Sequence, residues 1–452
     1  MEKKLFGTDG IRGVANEYPI TPEVMIKLGR AIISSLPDSE GKKRILIGKD
    51  SRISGDMIES AIAAGICSMN GDAFLAGVIP TPGISCLTVS GGYDAGIVIS
   101  ASHNPYYDNG IKIFNHQGFK LSDEIEKEIE GKVLDDSLII NPLLSKDIGV
   151  IKEVDTPKLK YIEFLKNTLP VDYSLEGLKI ILDCSNGATS EIAPKLFKKL
   201  GADVITIFAS PNGTNINDQC GSQHTETLRE TVLKNNADIG FAFDGDGDRL
   251  IAVDDKGNKV TGDQILAVCA KYLKEKGKLA NNVVVSTVMS NVGLLQVLKK
   301  LKIKHVIADV GDRYVLEEMK KNNSIIGGED SGHMIFLDHH TSGDGILTAI
   351  RLIQVIKETS QNLSELVKIM KIYPQVLVNV PVKEKIDIQK IPEIIVAIEK
   401  VENQLQDQGR VLVRYSGTQL LCRVMVEGPE KEETLKYCQD IVDVISEKIG
   451  SK

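Results

Sequence analysis

Residues 44–50, RILIGKD, begin a pattern that the chain uses three times. A short β-branched run ends in a polar loop, an amphipathic helix follows near residues 56–70, and a second apolar run at 73–79 ends in another polar loop. The same order returns within residues 178–213 and 282–313. Strands and helices that alternate at this spacing predict right-handed βαβ units with largely parallel sheets. We therefore expect three similar α/β domains, with ligands bound beyond the carboxyl ends of their strands.

The last part of the chain follows a different pattern. From about residue 370, three short apolar runs alternate with amphipathic stretches near 389–403 and 430–448, which predicts a small α+β domain. Tyr373-Pro374 is interpreted as a hinge before this domain, because the residue that precedes a proline disfavours helix. The segment 134–158 has no clear periodicity and is interpreted as the link between the first two domains. The predicted domains are 1–150, 151–254, 255–370 and 371–452.

The size and charge of the chain limit what it can be. At 452 residues it exceeds the roughly 250–300 residues at which single cores stop growing, so several domains are expected. The formal net charge of -8 provides no global attraction for nucleic acid, and no such partner is expected. No apolar run approaches the roughly 20 residues that cross a bilayer, so no membrane association is expected either.

The cysteines and the first residues bear on the compartment. Seven cysteines stand singly along the chain, and an odd number without CxxC pairing argues against a disulfide framework or a zinc site. The segment MEKKLFG at the start lacks the apolar core of a signal peptide. Together these features predict a cytoplasmic protein.

The strongest local signal is the run FAFDGDGDRLIAV, in which Asp244, Asp246 and Asp248 alternate with glycines between two apolar stretches. Three carboxylates in one tight turn repel each other unless a divalent cation lies among them, and hard oxygen ligands favour Mg²⁺. An EF-hand loop needs glycine at its sixth position and glutamate at its twelfth, but these positions hold Arg249 and Asp255. The remaining alternative is a solvated acidic turn.

A second motif, VRYSGTQLLCRV at 413–424, joins two apolar runs near the end of the chain. Guanidinium forks, hydroxyls and free backbone amides at one turn are suited to hold one anion, most plausibly a phosphate. The alternative is a polar hairpin with flanking surface arginines. The candidate phosphate ligands are Arg414, Ser416, Gly417, Thr418 and Arg423.

Two glycine-rich turns are weaker candidates. GGEDSGH, residues 327–333, combines acidic, hydroxyl and imidazole groups that suit hydrogen bonding to sugar hydroxyls, with Glu329 as the main acceptor. A surface turn would have a similar composition. FGTDGIRG, residues 6–13, places Arg12 on a flexible glycine frame.

The run IVISASHNPYYDNGIKI raises the possibility of a hydrolase nucleophile, because Ser102 stands beside His103. A Ser–His–acid triad needs the histidine to reach the serine from across the site, whereas the ring of the adjacent residue is expected to project away. No G-x-S-x-G elbow is present. Since metal and phosphate loops are predicted elsewhere, we interpret Ser102 as a phosphate carrier.

With these motifs in place, the chain resembles the α-D-phosphohexomutase superfamily. Four motifs match in the family's order over nearly the whole chain: the SASHNP serine loop, the DGDGDR metal loop, the GExSGH sugar loop and the RYSGT phosphate loop. The runs CGSQH, TVMSN and VGDRYV are most like those of its bacterial members that act on glucosamine phosphates. The resemblance implies a heart-shaped architecture of three similar α/β domains and a C-terminal α+β domain.

The resemblance also implies an activity, the reversible conversion of glucosamine 6-phosphate to glucosamine 1-phosphate. A phosphoserine at Ser102 passes its phosphate to the free hydroxyl, and the resulting 1,6-bisphosphate turns and returns its other phosphate. The product feeds UDP-N-acetylglucosamine and cell-wall precursor synthesis. The implied cofactors are one Mg²⁺ per active site and glucosamine 1,6-bisphosphate or glucose 1,6-bisphosphate as activator, and the implied assembly is a homodimer.

Individual residues receive roles from the same resemblance. Lys112, with His103 or His333, transfers protons, and Arg12 and Arg249 lie near the transferring phosphate. The residues implied to bind the sugar are Glu329, Ser331 and Arg313. The residues implied to complete the Mg²⁺ shell are the phosphate on Ser102 and the side chains of Asp244, Asp246 and Asp248. A nearby metal and arginine are expected to depress the pKa of Lys112, because like charges disfavour its protonated form.

The sequence departs from the family's pattern in two places. Gln419-Leu420 follow the phosphate loop where the family's glucosamine enzymes usually carry Glu-Pro, and Asp330 stands where they usually carry glutamine. Asp330 is hypothesised to tolerate or pair with a 2-ammonium group. The alternatives are a phosphomannomutase or phosphoglucomutase of the same superfamily, a non-catalytic sugar-phosphate sensor, and a hydrolase that releases phosphate from the phosphoserine.

Overall fold

The protein forms two compact units. The computed structural model describes residues 5–7, 9–37, 41–135, 145–416 and 420–451. The first unit comprises residues 1–289 with 304–368, and the second comprises 290–303 with 369–452. Each unit has its own sheets and core, so each is described by itself.

The first sheet of the first unit contains seven strands in the order β1-β2-β6-β5-β3-β4-β7. Its elements are β1 (Phe6–Gly7), β2 (Gly10–Val14), α1 (Pro22–Ser35), β3 (Arg44–Lys49), α2 (Gly55–Cys67), β4 (Asp72–Val78), α3 (Thr81–Ser90), β5 (Ala95–Ile99), β6 (Asp108–Asn115), α4 (Asp123–Leu134) and β7 (Ile151–Glu153). Strands β5, β3, β4 and β7 run parallel to one another, whereas the pairs β1–β2, β2–β6 and β6–β5 are antiparallel. The sheet is therefore mixed.

The sequence of these elements explains their positions. All five residues of β5 are buried, which fits a central strand covered by helices on both faces. Helix α1 begins with Thr21, whose side chain accepts a hydrogen bond from the Val24 N–H, and with a proline in its first turn. The interpretation of 134–158 as a simple link was wrong in part, because Ile151–Glu153 pairs in parallel with β4 as the edge strand.

The second sheet has the order β12-β11-β10-β8-β9. The elements of this region are α5 (Pro157–Asn167), β8 (Lys179–Asp183), α6 (Ile192–Lys199), β9 (Asp203–Ile207), α7 (Glu226–Asn235), β10 (Ile239–Phe243), β11 (Leu250–Val253), β12 (Lys259–Val260) and α8 (Gly262–Glu275). Strands β8, β9 and β10 are parallel, and β11 returns antiparallel to β10. The aspartate-rich loop is the turn of this β10–β11 hairpin.

The third sheet has the order β14-β13-β15-β16. The elements that follow along the chain are β13 (Val283–Thr287), α9 (Val292–Lys300), β14 (Lys304–Ala308), α10 (Asp312–Asn322), β15 (Ile326–Gly328), β16 (Met334–Phe336), α11 (Gly345–Thr359) and α12 (Leu363–Leu366). Strands β13, β14 and β15 are parallel, as the third βαβ repeat predicts. The helix of that repeat, α9, belongs to the second unit.

The second unit contains a three-stranded antiparallel sheet in the order β17-β19-β18. Its remaining elements are β17 (Gln375–Pro381), α13 (Pro392–Leu405), β18 (Arg410–Tyr415), β19 (Leu421–Glu427) and α14 (Lys431–Ile449). Val424, Val426, Ile441 and Ile445 are buried in its core. The prediction of a small α+β domain after residue 370 is confirmed, and with it the fold class of three α/β sheets plus a C-terminal α+β domain.

The hinge predicted at Tyr373-Pro374 stays a prediction. The backbone N–H of Tyr373 donates to Asn291 Oδ1 and its carbonyl accepts from Asn291 Nδ2, while its hydroxyl donates to Gln296. All these residues lie inside the second unit, whose long segment begins at Ile369. In this arrangement, these hydrogen bonds hold Tyr373 beside α9.

Among the described helices, none is long and apolar enough to span a membrane. The seven cysteines are all free thiols.

Candidate active site

Ser102 lies in the loop that follows β5, at the carboxyl edge of the first sheet. Its side chain is 1% exposed, and its backbone has a left-handed φ of 53°. The hydroxyl of Ser100 accepts a hydrogen bond from the Ser102 N–H at 2.9 Å and donates to Asp50 Oδ2 at 2.5 Å. A β-carbon in this conformation is strained, and such strain is maintained only where the surroundings over-determine the turn.

The guanidinium of Arg52 provides that constraint. Its Nε donates to Asp50 at 2.8 Å, and one terminal nitrogen donates to the carbonyl oxygens of both Ser102, at 3.0 Å, and Asn104, at 2.8 Å. The other terminal nitrogen donates to the carbonyl oxygens of Pro105 and Asp108. Asn217 adds a second donor to the same two carbonyls, at 2.8 and 3.0 Å. The main chain of the serine loop is thus held by two side chains from outside it.

The aspartate loop faces Ser102 directly. The Ser102 hydroxyl donates to Asp244 Oδ2 at 2.5 Å. One carboxylate oxygen from each of Asp244, Asp246 and Asp248 lies within 4.8 Å of the others, and all three side chains are buried. Burial and the charges of Asp248 and Asp246 raise the pKa of Asp244 well above its usual value.

These residues fit a hard divalent cation. The Oδ1 atoms of Asp246 and Asp248 are buried and have no hydrogen-bond partner among the described residues. Buried carboxylate oxygens without a donor are costly, and a metal ion satisfies them. The triad could therefore hold a metal ion, with the Ser102 oxygen beside it.

Lys112 on β6 reaches the same carboxylates and is 2% exposed. Its Nζ lies 2.9 Å from Asp246 Oδ2, 3.0 Å from Asp248 Oδ2 and 3.5 Å from Asp9 Oδ2. Burial alone lowers the pKa of Lys112, but the three carboxylates outweigh it and raise the pKa well above the usual value. Lys112 is the counter-charge of the aspartate loop in this arrangement. The expectation of a depressed pKa concerns the site with a metal ion bound, and it stays a prediction.

Arg12 lies on β2 beside these groups. Its guanidinium donates to the Ala101 carbonyl at 3.0 Å and forms an ion pair with Asp9. Asp9 also pairs with Lys120, whose Nζ lies 2.5 Å from Asp312 Oδ2. A continuous chain of alternating charges thus joins the first β-hairpin to α10.

The ring of His103 lies close to the Ser102 hydroxyl, whereas the sequence predicted that it projects away. Its Nδ1 lies 3.3 Å from the Ser102 hydroxyl, because the left-handed turn at Ser102 directs the ring back toward its neighbour. Burial, together with Arg249 and Arg12, lowers the pKa of His103 to about 4, so the ring is neutral near pH 7. No carboxylate in the described residues lies within ion-pair distance of His103. Ser102 and His103 therefore do not form a Ser–His–acid triad.

The sugar loop, residues 327–333, and Arg249 also contact the aspartate loop. The Arg249 N–H donates to Asp244 Oδ1 at 3.2 Å, and its Nε lies 3.8 Å from Asp248 Oδ1. His333 pairs with Arg249 in an isolated bridge and places Nε2 3.6 Å from Asp312 Oδ2 and 3.8 Å from Asp248 Oδ2. The structure therefore brings the sugar loop against the metal loop, as the motifs predict.

Glu329 and Ser331 lie at the open side of this loop. Glu329 Oε1 accepts the Gly311 N–H at 3.1 Å, and Ser331, which is exposed, contacts Glu329 Oε2 at 3.4 Å. Asp330 is exposed and lines a cavity of about 290 Å³ with Arg249, Lys259 and Ser331. Acceptors for hydroxyl or ammonium groups are thus available beside Arg249.

Arg313 is not brought to the aspartate loop. Its guanidinium pairs with Asp123, lies 2.8 Å from Glu126 Oε1 and donates to the Leu121 carbonyl at 2.9 Å. These bonds join α10 to the start of α4. A substrate role for Arg313 requires them to break, and it stays a prediction.

The predicted phosphate loop lies in the second unit. Arg414 on β18 stands directly opposite Arg423 on β19, and the Ser416 N–H donates to the Leu421 carbonyl at 2.8 Å. Two arginines opposite each other repel, and Arg423 Nε has no hydrogen-bond partner among the described residues. This pairing suits an anion. Gly417, Thr418 and Gln419 lie outside the described residues.

Several site residues were missed by the sequence reasoning. They are Asp9, Asp50, Arg52, Thr81, Lys120 and Asn217. Asp50 and Arg52 follow the first strand of the βαβ repeat, where the rule for parallel sheets directs attention. Thr81, which donates to Asp246 Oδ2 at 2.6 Å, follows the second strand of the same repeat. No sequence motif around Lys120 indicated that it belongs to the site.

We compared the sequence with models of known protein families, and four of them match. Residues 3–138, 159–257, 261–373 and 377–444 match, in that order, the models for alpha/beta/alpha domains I, II and III and the C-terminal domain of phosphoglucomutase/phosphomannomutase. The chain belongs to the phosphoglucomutase/phosphomannomutase family. It is therefore an enzyme of the phosphohexomutase class, as the sequence predicted.

Within this family, the chain is similar over its full length to curated phosphoglucosamine mutases. The phosphoglucosamine mutase of Syntrophus aciditrophicus is 57% identical over 449 residues, which are 99% of this chain and 100% of the relative. That of Syntrophobacter fumaroxidans is 57% identical over 446 residues, 99% of each chain. A phosphoglucomutase/phosphomannomutase family protein from Burkholderia thailandensis has the same fold, with a TM-score of 0.79 at 21% identity over 99% of both chains.

Proposed function

We propose that the chain interconverts glucosamine 6-phosphate and glucosamine 1-phosphate through a phosphoserine at Ser102. Its similarity to curated phosphoglucosamine mutases over the full length supports this substrate. The observation that carries the mechanism is the Ser102 hydroxyl, which is buried and 2.5 Å from Asp244 among three converging carboxylates. A serine so placed is suited to carry a phosphate and is shielded from water.

The reaction consists of two phosphoryl transfers. In the first, the phosphoserine gives its phosphate to the O1 hydroxyl of glucosamine 6-phosphate, the bond to Ser102 Oγ breaks, and the hydroxyl proton leaves to a base. The bound 1,6-bisphosphate then turns, and Ser102 Oγ gives its proton to a base and attacks the phosphate on O6. The bond between that phosphate and O6 breaks, O6 takes up a proton, and glucosamine 1-phosphate is left with a phosphoserine. Lys112, with His103 or His333, moves the proton, and Arg12 and Arg249 stabilise the transferring phosphate.

Mg²⁺ is the proposed cofactor. Asp244, Asp246, Asp248 and the phosphate on Ser102 would hold it, and when bound it neutralises charge on the transferring phosphoryl group. The orphaned Oδ1 atoms of Asp246 and Asp248 support this assignment. Glucosamine 1,6-bisphosphate or glucose 1,6-bisphosphate is the proposed activator that primes Ser102.

Substrate binding is assigned to the sugar loop and to the second unit. Glu329 and Ser331 accept and donate hydrogen bonds to sugar hydroxyls, with Asp330 as the partner of the 2-ammonium group. Arg414, Ser416, Gly417, Thr418 and Arg423 hold the phosphate that is not reacting. The enzyme is further proposed to be a cytoplasmic homodimer, and its free thiols are consistent with a reducing compartment.

Intact mass spectrometry tests the phosphoserine. We expect a phosphate on Ser102 that is lost when excess glucosamine 6-phosphate is added, while a hexosamine bisphosphate accumulates. Ser102→Ala should abolish both events, and Ser100→Ala, at the neighbouring hydroxyl, should keep the modification on Ser102. An unmodified enzyme that added bisphosphate does not stimulate would contradict the mechanism.

The nearest alternative is a phosphomannomutase or phosphoglucomutase. Rates with glucosamine, glucose and mannose 6-phosphates, compared for the wild type and Asp330→Asn, separate these activities. An unchanged preference in Asp330→Asn would exclude Asp330 as the ammonium partner. A sensor would show no turnover, and a hydrolase would release free phosphate faster than it forms the isomeric sugar phosphate.

A further inference from the structure

A second cavity of about 320 Å³ lies in the first unit, away from the residues of the candidate active site. Residues at the end of α5, on α8, on α11 and at the end of β16 line it. It shares no residue with the serine, metal or sugar loops. Its volume is at the lower end of the range for small-molecule sites. We call it the Arg351 cavity, after the only arginine among the residues that line it.

Arg351 reaches this cavity without a carboxylate bonded to its guanidinium. One terminal nitrogen donates to Gln354 Oε1 at 2.8 Å and the other to the Thr168 carbonyl at 2.6 Å, and both acceptors are neutral. Its Nε is buried without a hydrogen-bond partner, and no carboxylate in the described part of the chain forms an ion pair with it. Burial lowers the pKa of Arg351, and the nearby charge of Asp338 offsets this effect only in part. A guanidinium in such surroundings favours an anionic partner.

The walls of the cavity show what kind of anion fits. Leu169, Leu273, Phe336 and Val355 give it a largely apolar lining, which favours a ligand with an aliphatic or aromatic body. Asp338 also lines the cavity, and its side chain is 40% exposed. A carboxylate at this place repels a dianion more than a monoanion. The planar fork of an arginine matches a carboxylate in two parallel hydrogen bonds.

We propose that the Arg351 cavity binds a small organic monocarboxylate, with its carboxylate on Arg351 and its apolar body against Leu273 and Phe336. The site is independent of the phosphoryl-transfer reaction, so it stands or falls separately from the proposed function. Lys278, which is exposed and also lines the cavity, adds a second positive charge near the ligand.

Isothermal titration of the full chain with benzoate tests the proposal, with benzamide as the uncharged control and inorganic phosphate as the anion without an apolar body. We expect saturable binding of benzoate and at least about tenfold weaker binding of both controls. Arg351→Met should remove the preference for benzoate over benzamide. Asp338→Asn should tighten benzoate binding, because it removes the repelling charge.

A second variant, which fills the cavity, tests the proposal even if Arg351→Met does not fold. Leu273→Phe leaves Arg351 in place but occupies the space, so it should weaken benzoate binding by at least about tenfold. The proposal is overturned if benzoate shows no saturable binding, if benzamide binds equally well, or if Leu273→Phe and Asp338→Asn both leave benzoate affinity unchanged. Binding of phosphate in preference to benzoate would also overturn it, in favour of a phosphate-ester ligand.

Discussion

Gly245 and Ser102 approach so closely that a β-carbon on Gly245 would stand 2.5 Å from the Ser102 carbonyl oxygen. The same β-carbon would lie 2.8 Å from Asn217 Nδ2, which itself donates to that carbonyl. Glycine is therefore required where the aspartate loop meets the serine loop. The distance between the aspartate loop and Ser102 depends on this absence of a side chain.

Gly245→Ala is predicted to separate the two loops. We expect a loss of about 1–3 kcal/mol in the free energy of unfolding from overpacking, and a fall in turnover larger than the loss of stability explains. Chemical denaturation and steady-state kinetics measure the two effects. Gly131→Ala is the matched control, because the position lies inside α4 with no atom within 4 Å of the new β-carbon. It should stabilise the protein slightly, and normal activity in Gly245→Ala would refute the geometric argument.

Arg52→Lys is predicted to disorder the serine loop. A lysine cannot bond to Asp50 and to several carbonyl oxygens at once, so the position of Ser102 should become variable. Turnover should fall by about a hundredfold with little change in the KM for sugar phosphate. Arg229→Lys, on the exposed face of α7, serves as the control and should retain activity. Equal activities in the two variants would show that the Arg52 contacts are dispensable.

Asp246→Asn is predicted to impair metal binding. In the wild type, Mg²⁺ should raise the melting temperature and restore activity after chelation, because it satisfies the orphaned carboxylate oxygens. The variant should lose the thermal shift and at least about a hundredfold in turnover. Asp172→Asn is the control, since Asp172 is exposed and asparagine tolerates its left-handed φ of 64°. A thermal shift that persists in Asp246→Asn would place the cation elsewhere.

Arg423→Met is predicted to weaken substrate binding through the second unit. Removing one of two facing arginines should cost about 1.5–3 kcal/mol of phosphate binding, which is about a tenfold to hundredfold rise in KM. The unfolding free energy should fall less than for loss of a core residue, because the repulsion with Arg414 is also removed. Lys436→Met removes an exposed charge from the same unit and should leave KM unchanged. An unchanged KM in Arg423→Met would exclude the phosphate role.

Asp183 is predicted to make stability depend on pH. Burial raises the pKa of Asp183 to about 7, so the folded protein keeps a proton that the unfolded chain releases near its ordinary pKa of 3.8. The contribution of this group is fully present below about pH 4 and is lost as pH rises toward 7, by up to about 1.4 kcal/mol per pH unit.

The variant Asp183→Asn isolates this effect. Its unfolding midpoint relative to wild type should improve between pH 5 and pH 8, since its amide does not titrate. The amide cannot accept both the Ser185 and the Gly221 N–H bonds, so its stability at pH 5 should be lower than that of the wild type. A difference from wild type that does not change with pH would contradict the assignment.

The sequence predicted the parts of the structure that local patterns determine. The three βαβ repeats and the α+β domain follow from hydrophobic periodicity, and the rule for strand ends directs attention to the polar loops. The convergence of the Ser102, Asp244 and Glu329 loops was implied only by the resemblance to a known family. The strand at Ile151–Glu153 could not be predicted, because its three residues are exposed and carry no apolar pattern.

The missed site residues depend on contacts that are distant in sequence. Lys120 bridges Asp9 and Asp312, which lie 111 and 192 positions away along the chain. The reversed ring of His103 follows from a single left-handed residue, and nothing in the run SASHNP specifies that Ser102 adopts it. The raised pKa of Lys112 depends on three carboxylates from two other loops, so no local motif reports it.

The buried guanidinium of Arg52 holds the main chain of the serine loop in one position. Because the carbonyl groups of Ser102 and Asn104 are bonded to one rigid planar group, Ser102 cannot follow a sugar from one end to the other. In the proposed reaction, all the rotation between the two transfers therefore belongs to the bisphosphate. A compound too bulky to tumble in place could be phosphorylated once but never isomerised.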